Sequence, residues 1–287
     1  MLTIQRTFLF LFIATLFLTG CDNSTPPKPE VKTKATEVAS APEKVIAKTQ
    51  TIAAESCELT MGWEPWAPYH YQEYGEQVKG LDIEMMDMIT AETGCKISYQ
   101  KGDWKVLLHL LKMGEIDLLT GASINDKRKK YATFSDGYRT ESFQLYVRAG
   151  EVSKFEGYNM KELINDGFRL GITMDYIYND EVNSLQDNPE NDTQIIAVST
   201  GLINYSKLSE GDIDGFLEDP VVGSSSIRRQ GLEDQIELHP YIINTGDVHV
   251  MFSKASVNEE TINSFNRALG IIRADGRHKK LMNKYTK

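Results

Sequence analysis

The sequence predicts an α/β protein of two similar lobes, because one short phrase occurs twice, about one α/β lobe apart. The copies are Gly114–Asp117 and Gly211–Asp214, and each follows an apolar helical pattern. Each copy runs directly into a short apolar stretch, Leu118–Thr120 or Gly215–Leu217, which is typical of a helix, a turn and a buried strand. Two lobes imply a cleft, where small ligands usually bind. The alternative is chance, since glycine at a helix end is ordinary turn chemistry.

The elements of the first half alternate between strand and helix. Apolar runs predict strands at Leu59–Gly62, Ile97–Tyr99 and Leu118–Thr120. Helical spacing predicts helices at Lys105–Lys112 and at Leu81–Ala91, the latter ended by Gly94. Such alternation indicates parallel sheets with helices on both faces.

The second half repeats this scheme and closes with an amphipathic helix. Strands are predicted at Arg169–Ile172, Thr193–Val198, Gly215–Leu217, Ile236–Leu238 and Val248–Phe252. Helices are predicted at Leu202–Leu208, Val221–Arg229 and Asn258–Arg273.

Residues 1–20 have the pattern of a bacterial secretion signal. Arg6 precedes an apolar run, Phe8–Phe17, which is too short to span a bilayer of ~30 Å but suits a signal-peptide core. The string Leu18–Cys21 resembles the lipobox of bacterial lipoproteins, which implies cleavage before Cys21 and a lipid anchor on it. A free cysteine beside a short anchor helix is the alternative. Asp22 resembles the signal that keeps enteric lipoproteins at the inner membrane, on its periplasmic side.

Residues 21–56 are rich in Pro, Lys, Thr, Ala, Ser and Glu and contain hardly any large apolar side chain. Such a segment cannot bury enough surface to offset its ordering entropy, so it is predicted to be a disordered tether. A flexible chain of ~34 residues reaches roughly 30 Å. The chain's net charge of −10 argues against nucleic acid or an anionic membrane surface as the partner.

Two further cysteines, Cys57 and Cys95, each lie two residues before a predicted strand. If those strands are parallel neighbours, both thiols lie at the same end of the sheet and are able to pair. In an oxidising compartment a crosslink that closes a loop of ~39 residues stabilises the fold by roughly 4 kcal/mol in the chain-entropy model. Two buried free thiols are the alternative.

Six short motifs follow one another along the chain: Trp63–Tyr69, Gly80–Glu84, Trp104, Gly114–Asp117, Ser123–Arg128 and Phe134–Asp136. In this order they resemble the extracellular solute-binding proteins of family 3, and the similarity extends to about Tyr285. The resemblance implies the two-lobed fold of type II periplasmic binding proteins, with lobe 1 at residues 57–148 and 248–287 and lobe 2 at residues 149–247. Two hinge crossings are expected near Tyr146–Gly150 and Thr245–Val250. A monomeric receptor that presents a small carboxylated solute, such as an amino acid, to an ABC permease is also implied.

The resemblance assigns the grip on a carboxylate to Ser123 and Arg128, which fit the family pattern Ser-x-x-x-x-Arg. Arginine suits this role because its planar fork donates two parallel hydrogen bonds and keeps its charge. Asn125, where the family usually has Thr, is expected to cap a helix whose positive N-terminus lies beside the carboxylate. A surface salt bridge from Arg128 to Asp126 or Asp136 is the alternative.

Four more residues match ligand contacts of the first lobe in this family. Thr120 and Gly121 stand at the end of the third predicted strand, where a hydroxyl and a backbone N–H face the ligand. Trp66 and Trp104 match rings that stack on the ligand, which suits an apolar stem or a cationic group. A core position for either tryptophan is the alternative.

In the second lobe, Asp219 matches the aspartate that receives the α-ammonium group of the ligand. It lies just past a buried strand, at the end where open α/β sheets bind ligands. A zwitterion would then bridge Arg128 and Asp219 and favour closure. A simple helix-cap role for Asp219, ahead of Pro220, is the alternative.

Two departures from the family pattern bear on the solute. The segment Asp175–Ile177 replaces Gly-Thr-Thr or Gly-Thr-Ser, so a hydroxyl contact to the carboxylate is expected from Tyr176 or is absent. Gly137 replaces the usual proline before Tyr138. An amine or a modified amino acid therefore stays open as the solute.

Two other function classes use the same fold. An enzyme that resembles periplasmic cyclohexadienyl dehydratases needs an acid in the cleft, for which Asp175 and Glu218 are the candidates. A sensor subunit would report its ligand to a membrane kinase or cyclase. The five histidines show no metal-ligand spacing, and there is no phosphate-binding loop or nucleophile elbow, so we expect no metal and no other cofactor.

Overall fold

The computed structural model describes residues 57–155 and 159–285. Its strands are β1 (Glu58–Trp63), β2 (Lys96–Lys101), β3 (Leu118–Ala122), β4 (Ala132–Phe134), β5 (Arg139–Arg148), β6 (Leu170–Thr173), β7 (Ile195–Val198), β8 (Gly215–Glu218) and β9 (Ile236–Ser253). Its α-helices are α1 (Leu81–Thr93), α2 (Trp104–Met113), α3 (Asp126–Lys129), α4 (Met160–Asn165), α5 (Asp180–Gln186), α6 (Leu202–Glu210), α7 (Pro220–Gln230), α8 (Glu259–Ala274) and α9 (Arg277–Tyr285). The predicted signal peptide, the lipidated Cys21 and the tether lie outside the described residues.

The described strands form one mixed sheet in the order β2-β1-β3-β9-β5-β8-β6-β7, with β4 beside β9. In the first half, β1 pairs in parallel with β2 and β3. In the second half, β6 pairs in parallel with β7 and β8. The sequence predicts these six strands and predicts parallel sheets, and the four parallel pairings confirm this for them. The expectation of purely parallel sheets is wrong for β5 and β9, which run antiparallel to their partners.

The two copies of the repeated phrase form the same turn. Gly114 ends α2 and Gly211 ends α6, both in the left-handed conformation, with φ of 76° and 79°. The carboxylate of Asp117 accepts a hydrogen bond from a backbone N–H of β1 at 2.7 Å. The carboxylate of Asp214 accepts one from the residue before β6 at 2.9 Å. The repeat therefore reflects a repeated structure, and chance resemblance is the wrong interpretation.

The strand β9 is continuous over 18 residues, whereas the sequence predicts two short strands, Ile236–Leu238 and Val248–Phe252. The polar stretch between them pairs with β5, through two shifts of register. Backbone pairing of this kind depends on the neighbouring strand and leaves little trace in side-chain patterning. The C-terminal end of β9 pairs with β3 and β4, so β9 joins the two halves of the sheet. The sequence analysis also missed β4, β5, α4, α5 and α9.

The first passage from one half of the sheet to the other lies earlier in the chain than expected. Strand β4 pairs with the C-terminal end of β9, which belongs to the first half of the sheet. The next strand, β5, pairs with the rest of β9 and with β8, which belong to the second half. Leu145 and Val147 of β5 pack in the apolar core of the second half. This pairing favours a crossing between Phe134 and Arg139 rather than near Tyr146–Gly150. The lobe ranges stay a prediction.

Cys57 and Cys95 form a disulfide. It joins the residues that precede β1 and β2, whose parallel pairing places both side chains at the same end of the sheet.

Helix α1 packs against α8 and α9, and its Met85 and Ile89 share a core with Met61 of β1 and Phe265 of α8. The segments that follow β1, β3 and β8 converge on one cleft.

No helix in the described part of the chain combines the length and the apolar character needed to cross a membrane.

Candidate ligand-binding site

The buried Arg128 is held by backbone carbonyl groups on both sides of the cleft. Asn125 caps α3 as predicted, with its side chain accepting from the N–H of Arg128 at 2.7 Å. The guanidinium donates from Nη1 to the carbonyl of Ser123 at 2.8 Å and from Nη2 to that of Asp175 at 2.7 Å. It also lies over the ring of Trp104, 5.5 Å from its centre. The alternative of a surface salt bridge is wrong, because the side chain is 4% exposed and bonds to carbonyl groups.

The hydroxyl of Ser123 donates to a buried carboxyl group, Glu141, at 3.3 Å. Glu141 belongs to β5, and Thr245 of β9 also donates to it, at 3.2 Å. Burial raises the pKa of Glu141 to about 7, against the lowering effect of Arg139. Sequence reasoning missed Glu141 because nothing near it in the chain marks a site.

Thr120 and Gly121 lie at the end of β3, and both already have protein partners. The Thr120 hydroxyl lies 2.7 Å from Nε2 of the buried His70. The backbone N–H of Gly121 donates to the hydroxyl of Tyr138 at 2.8 Å. Gly121 has φ of 68°, a conformation that favours glycine, and its N–H is bonded within the protein.

The two predicted stacking residues, Trp66 and Trp104, flank a ring of the protein itself. The ring of Tyr176 lies edge-on to each of them, with centroid distances of 6.3 Å in both cases. Its hydroxyl donates to Glu64 at 2.8 Å. Burial raises the pKa of Glu64 to about 7, although the bond from Tyr176 lowers it. Tyr176 thus spans the cleft, and its hydroxyl serves a carboxyl group of the chain.

Asp219 caps α7, which is the alternative that the sequence left open. Its Oδ1 accepts from two backbone N–H groups of the first turn, at 2.8 and 3.1 Å. Its Oδ2 accepts from the hydroxyl of Tyr69 at 3.2 Å, across the cleft. Burial raises the pKa of Asp219, against the lowering effect of Arg139.

The neighbouring Glu218 is 2% exposed and also reaches across the cleft. Its Oε1 accepts from the indole N–H of Trp66 at 3.2 Å and from the backbone of Asp219 at 2.9 Å. Burial raises the pKa of Glu218 to about 8, although the bond from Trp66 lowers it. The second half of the cleft thus offers two adjacent buried carboxyl groups, of which the sequence singled out only one as a ligand contact.

A second buried arginine, Arg139, lies behind the cleft wall. Its guanidinium lies 3.9 Å from the ring centre of Tyr69 and 5.2 Å from that of Trp66, and its Nε lies 3.7 Å from Asp82. Burial by itself raises the pKa of Asp82, but the charge of Arg139 and the hydrogen bond from His70 lower it overall. This pair fixes the aromatic wall against the first half of the sheet.

Two adjoining cavities occupy the cleft. The inner cavity has a volume of about 30 Å³ and reaches Thr120, Ser123 and Arg128. The outer cavity has a volume of about 350 Å³ and extends to Gly201 and Ser226 of the second half. They share a wall formed by Trp63, Glu64, Trp66 and Tyr176. In the part of the chain that the structure describes, no cluster of His, Cys, Asp and Glu is arranged to hold a metal ion.

Comparison with known proteins places this geometry in a family. Residues 59–287 match the bacterial extracellular solute-binding proteins, family 3. The lysine/arginine/ornithine-binding periplasmic protein of Escherichia coli is 24% identical over 268 residues, which are 89% of this chain and 92% of that protein. A probable histidine-binding protein of Neisseria gonorrhoeae is 24% identical over 224 residues, which are 77% of this chain and 79% of that protein.

Solved structures share the fold. An ancestral arginine-binding protein bound to arginine aligns with a TM-score of 0.69 at 20% identity, over 80% of this chain and 98% of that one. A histidine kinase sensor domain with similarity to periplasmic binding proteins aligns with a TM-score of 0.68 at 17% identity, over 81% of this chain and 96% of that one. These likenesses confirm the predicted periplasmic-binding-protein fold. The chain belongs to family 3 of the bacterial extracellular solute-binding proteins.

Proposed function

We propose that this protein is a lipid-anchored periplasmic receptor that closes on a small polar solute, amino-acid-like in size, and presents it to an ABC permease. The observation that carries the proposal is the pair of cavities between the two halves of the sheet, walled by aromatic rings and buried polar groups. Concave sites of this kind suit small ligands. The amino-acid-binding names of the relatives support the same solute class.

Closure of the cleft involves hydrogen bonds from side chains of one half to side chains or the backbone of the other half. Trp66 donates to Glu218, Tyr69 donates to Asp219, Tyr176 donates to Glu64 and Arg128 donates to the carbonyl of Asp175. A hinge motion at the two crossings breaks all of these contacts together. The receptor therefore has a defined closed state, which a permease is able to distinguish from the open one.

The anchor and the tether complete the proposal. A lipid on Cys21 holds the protein at the membrane, with Asp22 favouring the inner membrane, and the tether lets a monomer reach its permease. Replacement of Cys21 by serine is expected to move the protein from the membrane fraction to the soluble fraction. Unchanged membrane attachment of this variant would contradict the anchor.

An enzyme on the same fold is the second candidate, and Glu218 is the observation that favours it. A buried carboxyl group whose pKa is raised to about 8 is a suitable general acid or base at neutral pH. Asp175, the other candidate acid, has φ of 60° and offers its carbonyl to Arg128. A sensor subunit uses the same cleft with another partner.

A thermal-shift screen of the purified protein against amino acids, polyamines and cyclic carboxylic acids tests the proposal. A solute at ~1,000 times its Kd stabilises by ~4 kcal/mol, which corresponds to a shift of several degrees. Mass spectrometry then shows whether the solute is unchanged, as a receptor requires, or consumed, as an enzyme requires. Absence of any shift across the screen would contradict the receptor.

A further inference from the structure

The side chains that match the family's grip on a zwitterion are already occupied by the chain. Arg128 donates to the carbonyl groups of Ser123 and Asp175. Asp219 accepts from two N–H groups of α7 and from the hydroxyl of Tyr69. The inner cavity of about 30 Å³ has room for roughly two water molecules. In this closed arrangement a solute has to lie in the outer cavity.

The wall of the outer cavity carries two buried carboxyl groups, Glu64 and Glu218, which are 6% and 2% exposed. Among the described residues, no Lys or Arg side chain forms an ion pair with either of them, and their hydrogen-bond donors are a phenol, an indole and backbone N–H groups. A buried carboxylate without a cation is costly. These two groups therefore favour the protonated form, and a cationic solute is able to take the place of the proton.

One oxygen atom of Glu218 marks the part of the wall at which a cationic solute is able to bind. Oε1 of Glu218 has two donors, whereas Oε2 has no hydrogen-bond partner among the described residues. Oε2 faces Gly201, where an added Cβ would lie 2.6 Å from it. Both residues line the outer cavity. A donor group on a solute in this cavity is therefore able to reach the unbonded Oε2.

Aromatic rings enclose the same space. Trp63, Trp66 and Tyr176 all line the outer cavity, and the faces of such rings attract cations. At the mouth, the chain's own cations already lie on rings: Lys101 is 5.4 Å from the ring centre of Trp63, and Arg229 lies over another ring at 5.6 Å. Trp66 already has Arg139 beside it, 5.2 Å from the ring centre, so of these three rings only Tyr176 has no cation over its face among the described residues.

The positive charges of the two cations at the mouth do not neutralise the effect of the buried carboxyl groups on a solute. Lys101 and Arg229 are exposed, so water and salt screen their charges. Glu64 and Glu218 lie in a region of low dielectric constant, where charge interactions are several times stronger. The end of the outer cavity at Glu64 and Glu218 therefore favours a positively charged group.

We propose that the outer cavity binds a small organic cation, an amine or a guanidine, whose N–H groups donate to Glu64 and Glu218, and that binding does not require a carboxylate on the solute. The inference rests on the proposed receptor function and narrows its solute class. It departs from the zwitterion bridge between Arg128 and Asp219.

Binding of such a cation releases protons. The pKa of Glu64 is raised to about 7 and that of Glu218 to about 8, in both cases by burial, and a cation between them lowers both. The charged groups that face them are Asp103 beside Glu64, Asp219 beside Glu218, and the screened Lys101 and Arg229 at the mouth. Tyr146, Tyr176 and Tyr205 also lie near Glu218, and their pKa values are raised by burial. We therefore expect tighter cation binding at pH 8 than at pH 6.

Titration calorimetry on the full-length protein in detergent tests the proposal with three probes. Arginine carries a cation and a carboxylate, agmatine is arginine without its carboxylate, and glutarate has carboxylates and no cation. We expect agmatine to bind with a Kd within about threefold of that of arginine, and glutarate not to bind, because the wall offers carboxyl groups. Binding enthalpies in buffers of different ionisation enthalpy are expected to show the release of roughly one proton at pH 7.

Two variants connect the binding to the named atoms. Glu218→Gln keeps the size and the neutral form of the buried side chain, so the fold is retained, and it is expected to weaken agmatine binding by about tenfold or more. Gly201→Ala, at a position with φ of −55° that alanine readily adopts, is expected to weaken it as well by crowding Oε2. Glu210→Gln makes the same chemical change at an exposed position and is expected to leave binding unchanged.

The outcomes separate the two proposals. If an amino acid or a carboxylic acid binds, while agmatine, putrescine and spermidine do not, the receptor stands and the cation proposal is overturned. Agmatine binding that is unaffected by both Glu218→Gln and Gly201→Ala overturns the proposed position. If no solute of any class binds, the receptor function itself fails.

Discussion

Tyr176 stands in the middle of the cleft, where the family pattern has a small hydroxyl residue. Its ring meets Trp66 and Trp104 edge-on, and its hydroxyl donates to the buried Glu64. A side chain of this size fills the space between the two tryptophans. At the scale of single residues, this departure from the family pattern therefore leaves most of the free volume in the outer cavity, beside Glu218.

The hydrogen bond of Tyr176 makes a testable contribution to stability. Tyr176→Phe leaves Glu64 with one donor fewer, so we expect the free energy of unfolding to fall by about 1 kcal/mol. Thermal denaturation should show a Tm lower by roughly 2–4 °C for a protein of this size. Tyr74→Phe, at a fully exposed tyrosine, is the matched control. Equal Tm values for the two variants would show that the bond across the cleft contributes nothing.

Several residues of the site were beyond the reach of sequence reasoning. The family motif located Ser123 and Arg128 at the cleft, but it did not indicate that the guanidinium bonds to the carbonyl of Asp175 on the opposite side. Glu64 and Glu141 were missed altogether, because a glutamate is usually exposed and only the packing of distant segments buries these two.

At the scale of secondary-structure elements, the N-terminus of α7 depends on Asp219. Asp219→Ala removes the acceptor for two backbone N–H groups, so we expect the free energy of unfolding to fall by about 1 kcal/mol. Asp219→Asn keeps a capping oxygen and should lose much less. Urea denaturation of the three proteins measures the difference. If the asparagine variant were as unstable as the alanine variant, the charge rather than the cap would be the important feature.

The disulfide ties the first two strands at their shared end. A double variant, Cys57→Ser with Cys95→Ser, is expected to reduce the free energy of unfolding by roughly 4 kcal/mol, because a closed loop of ~39 residues restricts the unfolded chain. Urea denaturation with and without a reducing agent checks this. The reductant should destabilise the parent protein by a similar amount and leave the double variant unchanged. An effect of the reductant on the double variant would implicate some other group.

At the scale of the whole molecule, the buried acids make stability depend on pH. Burial raises the pKa values of Glu64, Glu141 and Glu218 from 4.5 to about 7, 7 and 8, so the folded state holds protons more tightly than the unfolded state. Their contribution to stability is fully present below about pH 4.5 and is lost as the pH rises through about 7 to 8. Asp219 acts in the same direction, and Asp82, whose pKa is lowered, acts only at more acidic pH.

We therefore expect the Tm of the solute-free protein to be several degrees lower at pH 8.5 than at pH 5.5. Differential scanning calorimetry measures this directly. Glu218→Gln should reduce the difference, since glutamine has no proton to lose, while Glu210→Gln at an exposed site should leave it unchanged. A Tm that rises over this interval would contradict the assignment of neutral buried carboxyl groups.

The sequence by itself determined the α/β class, the repeated turn at Gly114 and Gly211, the strands that form the parallel pairs, and the family. These features follow from local periodicity, glycine at helix ends and short motifs in a fixed order. All of these depend on residues that are close together in the sequence. Only the tertiary structure decided the continuous β9, the earlier crossing between the two halves, and the occupied states of Arg128 and Asp219. Each of these depends on contacts between segments that are far apart in the chain, and the burial of Glu64 and Glu218 arises where those segments meet.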